Sequence, residues 1–324
     1  MLLAIGGLLA GFALLIWSAD RFVLGASNTA RLFGISPLLV GIIVVGFGTS
    51  APELLVSGIA AMDNQPGLAI GNAVGSNIAN IGLIVGCTAL FYPLQVRSRI
   101  VRRELPLLLV FMMLGSGLLA DGELNRLDGA LLLGGLIGSI AWSVYEAHHQ
   151  RGDILSTEFA TEMQEKLSTA DALGNLLVGL VVLVASSRLL VWAAVDIAQT
   201  LGISDLVIGL TIVALGTSLP ELAASMTAGR KGEHDIALGN IAGSNMFNLL
   251  GVMALPGIIA PGAVDPMLLS RDYPVMLGLS ILLWFFASNF SLHRGGVIRR
   301  AEGGALLGIY IAYIALVSYQ AGAF

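Results

Sequence analysis

Glu53 lies in an apolar run from Ile35 to Ala61, directly after Gly46-Phe47-Gly48-Thr49-Ser50-Ala51-Pro52. A carboxylic acid near a bilayer midplane costs about 2.5 to 3.5 kcal/mol on insertion scales, so such a residue faces the protein interior and serves a function there. Pro52 has no N–H to donate to the Gly48 carbonyl and crowds that carbonyl, which predicts a kink just before the acid and backbone oxygens freed by it. Thr49 and Ser50, four and three residues before Glu53, would place hydroxyls beside the carboxylate on one face. The outcome is an all-oxygen cluster of the kind hard cations prefer, calcium taking six to eight such ligands. The plainer alternative is a kinked helix with a buried, protonated glutamate. A second copy of the motif argues against it. Residues 214–221 read Ala-Leu-Gly-Thr-Ser-Leu-Pro-Glu, so Gly48, Thr49, Ser50, Pro52 and Glu53 recur as Gly216, Thr217, Ser218, Pro220 and Glu221, all at an offset of 168.

Each acid motif is followed by a second polar stretch in an apolar run. Gly71-Asn72-Ala73-Val74-Gly75-Ser76-Asn77-Ile78-Ala79-Asn80 returns as Gly239-Asn240-Ile241-Ala242-Gly243-Ser244-Asn245-Met246-Phe247-Asn248, with six of ten positions identical. Gly71 with Gly75, and Gly239 with Gly243, form small-xxx-small seams that permit close helix approach. Ser76 and Asn80 share one helical face, as do Ser244 and Asn248, and can add a hydroxyl and an amide oxygen to the cluster. Asn72, Asn77, Asn240 and Asn245 are expected instead to hydrogen-bond between helices.

The elements that carry these residues follow from composition. Of 324 residues 56% are hydrophobic and 11% charged, with a mean hydropathy of +0.88. That leaves too little polar surface for a soluble domain and describes a polytopic membrane protein. Apolar segments of spanning length fall near 2–27, 35–60, 68–92, 104–120, 128–147, 172–200, 204–228, 236–260, 272–289 and 302–320, ten in all. Residues 2–27 lack a basic leader and a small-residue cleavage pattern, so the first span is expected to be retained. The single cysteine, Cys87, lies in an apolar run and suits packing. Nothing suggests a nucleic-acid surface, and the expected environment is the lipid bilayer of the cell's inner (cytoplasmic) membrane, with a monomer as the simplest assembly.

Outside the spans, Arg31, Arg97, Arg99, Arg102, Arg103, Arg151, Lys166, Arg230, Lys231, Arg294, Arg299 and Arg300 fall on one side, against Arg126 and Arg271 on the other. The positive-inside rule then places both termini outside and the polar stretch 148–171 in the cytoplasm. That stretch, with Glu158, Glu162, Glu165 and Lys166, is expected to be a solvated linker, and His148 and His149 within it lack a third partner for a metal. Arg21 and Arg188 lie inside spans, where snorkelling or pairing, as of Arg21 with Asp20, suffices.

The repeat reaches past the motifs: Gly34-Ile35-Ser36 matches Gly202-Ile203-Ser204, Gly41 matches Gly209, and Arg103-Glu104-Leu105-Pro106 matches Arg271-Asp272-Tyr273-Pro274. Five spans separate equivalent positions, so the copies cross the membrane in opposite directions. The predicted fold is an all-α polytopic membrane protein of ten transmembrane helices in two inverted five-helix repeats, residues 1–147 and 172–324 joined by the cytoplasmic linker 148–171. In transporters of this plan interrupted helices from both halves meet near the midplane, where unwound carbonyls bind the cation.

The pattern G-T-S-x-P-E followed by G-N-x-x-G-S-N-x-x-N, present twice, resembles the two alpha-repeats of the cation/calcium exchanger superfamily, in its sodium/calcium exchanger branch, over essentially the whole chain. The resemblance implies a secondary active antiporter, not an enzyme, that needs no cofactor and binds calcium and sodium alternately. By that likeness Glu53 and Glu221, with the carbonyls of Thr49 and Thr217, form the calcium site. Sodium sites draw on the Gly46 carbonyl, Thr49, Ser50 and Ser244 on one side, and on the Ala214 carbonyl, Thr217, Ser218 and Ser76 on the other, with Asn80 and Asn248 bordering the middle. Two bidentate carboxylates and two carbonyls reach the lower limit of calcium coordination. Two carboxylates also balance one divalent charge in a medium where uncompensated charge is costly.

Many family members carry aspartate where this chain has Asn248, the potassium-dependent branch characteristically, which puts potassium coupling in doubt. The proton-driven branch typically has glutamate where Gly75 and Gly243 stand, which disfavours a calcium/proton exchanger as the alternative. A cation channel fits paired kinked acids less well than alternating access does. An intramembrane hydrolase would need an acid dyad or a nucleophile with its base, and no histidine lies deep in a span.

Overall fold

The computed structural model describes residues 2–97, 99–149, 167–200, 214–288 and 296–320. They form α1 (Leu2–Phe33), α2 (Pro37–Thr49), α3 (Ala51–Met62), α4 (Pro66–Phe91), α5 (Leu105–Leu118), α6 (Arg126–His149), α7 (Thr169–Thr200), α8 (Ala214–Thr217), α9 (Leu219–Arg230), α10 (His234–Ile259), α11 (Leu268–Ser288) and α12 (Arg300–Gln320). Seven of the described helices are long and apolar enough to cross a membrane, or eight if α2 and α3, bent by 44° at their break, count as one span. Large apolar side chains such as Leu9, Ile137 and Val181 point outward, as they do where the solvent is hydrocarbon. The chain is an all-helical, multi-pass integral membrane protein.

The expected 104–120 span corresponds to α5, lengthened at its start by a wide π turn at Ile100–Glu104. Most of the expected linker, and residues 201–213 with the start of the expected 204–228 span and the repeat positions Gly202, Ile203, Ser204 and Gly209, lie outside the described residues. Four two-residue strands were not anticipated: β1 (Leu94–Gln95) pairs with β4 (Val297–Ile298), and β2 (Glu123–Leu124) with β3 (Gly262–Ala263). Each pair satisfies loop backbone groups by joining an early segment of the chain to a late one.

α1 and α7 lie against each other backbone to backbone. A Cβ on Gly25 would sit 2.3 Å from the Leu176 nitrogen, and one on Gly179 2.5 Å from the Phe22 nitrogen. Asp20 does not pair with Arg21. It accepts from Arg230 at 2.8 Å and lies 3.1 Å from Lys231, tying α1 to the end of α9, because its side chain faces that end and not its sequence neighbour. Arg21 instead donates to Asn175 and stacks over Trp17.

The hairpins α3–α4 and α9–α10 are built alike. Asn64 (φ 58°) and Gly232 (φ 77°) close them in the left-handed region. The next N–H in each reaches back five residues, Gln65 to Ala60 at 2.8 Å and Glu233 to Ala228 at 2.9 Å, the Schellman termination of a helix. Ser36 caps α2 by accepting from the Leu39 N–H, and Pro37 and Pro66 occupy first helical positions where no N–H is needed.

Candidate ion-binding site

The break between α2 and α3 falls at Ser50 (φ −80°, ψ 3°), and the break between α8 and α9 at Ser218 (φ −89°, ψ 3°). Pro52 and Pro220 each stand in the first turn of the helix that follows, and each interruption falls two residues before the proline that forces it. Each interruption leaves a helix C-terminus with its carbonyl groups at the break, Gly46–Thr49 and Ala214–Thr217, where the Gly46 carbonyl accepts from the Ser50 N–H at 3.1 Å. Each also leaves a helix N-terminus carrying an acid in its first turn. The helix dipole favours a carboxylate at an N-terminus and a cation at a C-terminus, and both ends meet at each break.

Glu53 is 1% exposed and Glu221 0% exposed, and the two carboxylates interact electrostatically across the molecule. Oε2 of each has no hydrogen-bond partner among the described residues. Both glutamates are held from behind by the same brace. Asn72 Nδ2 donates to the Glu53 carbonyl at 3.2 Å and to Ser57 Oγ at 2.9 Å, and Asn240 Nδ2 donates to the Glu221 carbonyl at 3.2 Å and to Ser225 Oγ at 2.8 Å. Ser57 and Ser225 were missed by the sequence reading, although Glu-x-x-x-Ser recurs at the same offset of 168 and could have revealed them.

The halves exchange partners. α2 packs on α10 so closely that a Cβ on Gly243 would lie 2.2 Å from the Ile42 carbonyl oxygen and one on Gly46 2.9 Å from the Ser244 nitrogen. The seam expected at Gly239 and Gly243 is therefore filled by α2. At Gly71 and Gly75 no described residue lies within 4 Å of such a Cβ. The close approach brings Thr49 Oγ1 to 3.0 Å from Asn240 Oδ1 and 3.4 Å from Ser244 Oγ, which also reaches the Gly46 carbonyl at 3.4 Å. Ser50 Oγ donates to Glu221 Oε1 at 3.3 Å, and the Thr49 hydroxyl faces the same carboxylate. The expected neighbour of these hydroxyls was Glu53. The structure gives them to Glu221, because the break at Ser50 turns them away from the helix that carries Glu53.

Asn80 and Asn248 each open a π turn, Asn80–Val85 and Asn248–Val252, a widening that recurs at functional sites. Asn80 Nδ2 donates to Asn245 Oδ1 at 3.0 Å, while Asn80 Oδ1, Ser218 Oγ and both amide atoms of Asn248 are buried with no described partner. Ser76 is buried one turn before Asn80, and Thr217 is half-buried at the end of α8, which touches α4. Asn77 Nδ2 meets Met276 Sδ at 3.5 Å. Among the described residues no three His, Cys, Asp or Glu side chains gather, so the center is two carboxylates among hydroxyls, amides and carbonyls. That donor set suits hard cations and leaves nothing for a soft metal.

Comparison with known proteins agrees with this geometry. The family described as sodium/calcium exchanger protein matches residues 3–145 and 172–319. The chain belongs to that family. A protein of Alkalimonas amylolytica named "Putative antiporter CaxA" is 48% identical over 97% of this chain and 98% of its own. The "Inner membrane protein YrbG" of Escherichia coli (strain K12) is 42% identical over 98% of this chain and 97% of its own. The solved structure of the sodium-calcium exchanger NCX_Mj soaked with 2.5 mM Na+ and 0.1 mM Ca2+ superposes with a TM-score of 0.83 at 33% identity, covering 97% of this chain and 98% of that one. The protein is a membrane antiporter of the sodium/calcium exchanger superfamily, and not an enzyme.

Proposed function

We propose that the protein exchanges sodium for calcium by alternating access around a single site at the center of the molecule. The observation that carries this reading is the pair of buried glutamates, each at the start of a broken helix and braced identically from behind, with Glu221 accepting a hydroxyl from the opposite half. Calcium is held by Glu53 and Glu221 with the Thr49 and Thr217 carbonyls. Two carboxylates neutralize it where an unbalanced charge is expensive. Sodium ions use the Gly46 carbonyl, Thr49, Ser50 and Ser244 on one side, and the Ala214 carbonyl, Thr217, Ser218 and Ser76 on the other. Asn80 and Asn248 border the middle with neutral amides. The occupants compete for the same carboxylates, so the site turns over with one or the other and not both.

The wider frame of this reading is ten spans in two inverted repeats, residues 1–147 and 172–324, with 148–171 as a cytoplasmic linker. The mirrored breaks at Ser50 and Ser218 and the mirrored turns at Asn64 and Gly232 support it. Both termini lie outside, from the distribution of Lys and Arg. A membrane-impermeant maleimide should label Asp121→Cys, in a Cys87→Ala background, in intact cells. Labelling only after lysis would reverse the orientation.

The shared site is tested by Glu53→Gln and Glu221→Gln in reconstituted vesicles. Each substitution alone should abolish sodium-driven calcium uptake while leaving folded protein in the membrane, and the double variant should be no worse than either. Near-normal uptake by one single variant would show that the halves do not form one site.

A further inference from the structure

Both broken helices bear on one stripe of α7. Leu180, Val184, Ser187 and Val191 follow one another at steps of four, three and four residues and so share a face of that helix. Leu180 meets the first break, where a Cβ on Gly48 would lie 2.9 Å from its Cδ2. Val191 meets the second, where a Cβ on Gly216 would overlap its Cγ2. Between them Ser187, 3% exposed, donates from Oγ to the Gly216 carbonyl at 2.8 Å.

The first half has no such donor. Ser18 and Ser186 correspond at the offset of 168, and each spends its hydroxyl inside its own helix, on the Leu15 carbonyl at 3.1 Å and the Leu183 carbonyl at 2.9 Å. The place corresponding to Ser187 is taken by Ala19. The first break is held from the opposite half instead, by Ser244 on the Gly46 carbonyl at 3.4 Å. Duplication therefore does not account for Ser187.

We infer that Ser187 is a positioning residue for cation binding, which fixes the roll of α8 about its own axis by holding the Gly216 carbonyl on α7. The inference rests on the exchange function proposed above, in which α8 supplies the Ala214 and Thr217 carbonyls. Successive residues of an α-helix are about 100° apart, so Ala214 stands about 200° round the axis from Gly216 and Thr217 about 100°. With Gly216 pinned to α7, Ala214 is left on the side away from α7. The Gly216 carbonyl, already occupied, is kept out of the ligand set. Glycine at 216 is what permits the approach, because any side chain there would push α8 off Val191 and break the hydrogen bond. Without the hydroxyl the carbonyls of α8 are free to turn, and sodium, which takes two of its proposed ligands from α8, loses more than calcium, whose Glu53, Glu221 and Thr49 ligands lie on other helices.

Two measurements on the full-length protein test this: hydrogen exchange of residues 214–222 during a sodium titration in detergent, and sodium-driven calcium uptake in vesicles. In wild type, sodium should slow the exchange and drive the uptake. Ser187→Ala should raise the sodium concentration for half-maximal effect about fivefold in both, the factor that loss of one ordinary hydrogen bond corresponds to, with the maximal rate retained and a smaller shift in calcium dependence. Ser186→Ala, which removes a bond within α7 alone, should match wild type. If Ser187→Ala does not fold, Ser187→Cys, of similar size and a weaker donor, should shift sodium in the same direction. Wild-type sodium dependence in the Ser187 variant, or an equal shift in Ser186→Ala, would overturn the inference alone. Wild type with neither sodium protection nor sodium-driven uptake would overturn the exchange function and this inference with it.

Discussion

At the scale of single residues, the most informative contact is Ser50 to Glu221 at 3.3 Å, because it brings a hydroxyl of the first half onto the acid of the second. A hydrogen bond to a charged group contributes about 1.5 to 3 kcal/mol. Ser50→Ala should therefore raise the calcium concentration needed for half-maximal uptake by about 10- to 100-fold while leaving the protein's melting temperature nearly unchanged. A variant with unaltered calcium dependence would remove Ser50 from the site. The acids, hydroxyls and amides of this center were legible in the sequence because intramembrane polar residues are costly and these recur at one offset. Their pairing was not. Helical spacing assigned Ser50 to Glu53, and only the break at Ser50 with the packing of α2 on α10 hands it to Glu221.

At the scale of helices, backbone contact between α2 and α10 brings the Thr49 and Ser244 hydroxyls together. Gly243→Ala would drive a methyl group to 2.2 Å from the Ile42 carbonyl oxygen, and overpacking of this sort costs about 1 to 3 kcal/mol. Gly134→Ala, on the exposed face of α6, meets no described atom within 4 Å and should be close to neutral. Thermal unfolding in detergent should separate the two by several degrees in the same buffer, and equal melting temperatures would contradict the packing. The sequence marks Gly243 as half of a small-xxx-small pair but names no partner for it, so the approach of Ile42 could not be read from it. The turns at Asn64 and Gly232 were equally hidden. Asp63-Asn64-Gln65 and Lys231-Gly232-Glu233 share no residue type, yet both adopt the left-handed turn, since asparagine and glycine tolerate that conformation.

At the scale of the whole molecule, the membrane class followed from composition, and the wide π turns and the paired two-residue strands did not, because neither carries a periodic signal. The central claim concerns the driving ion. Asn248 supplies no third carboxylate, and glycine stands at both 75 and 243, so among the described residues the fixed charge at the proposed center is that of Glu53 and Glu221. Sodium should drive calcium transport without potassium. Protons should compete for the same two carboxylates, inhibiting as pH falls and driving little exchange themselves. The direct measurement is calcium uptake into proteoliposomes loaded with sodium and diluted into sodium-free medium, with and without potassium, beside vesicles given only a pH gradient. Sodium-driven uptake indifferent to potassium and far above the pH-driven rate is the predicted result; uptake driven equally well by the pH gradient, or strictly dependent on potassium, would contradict it.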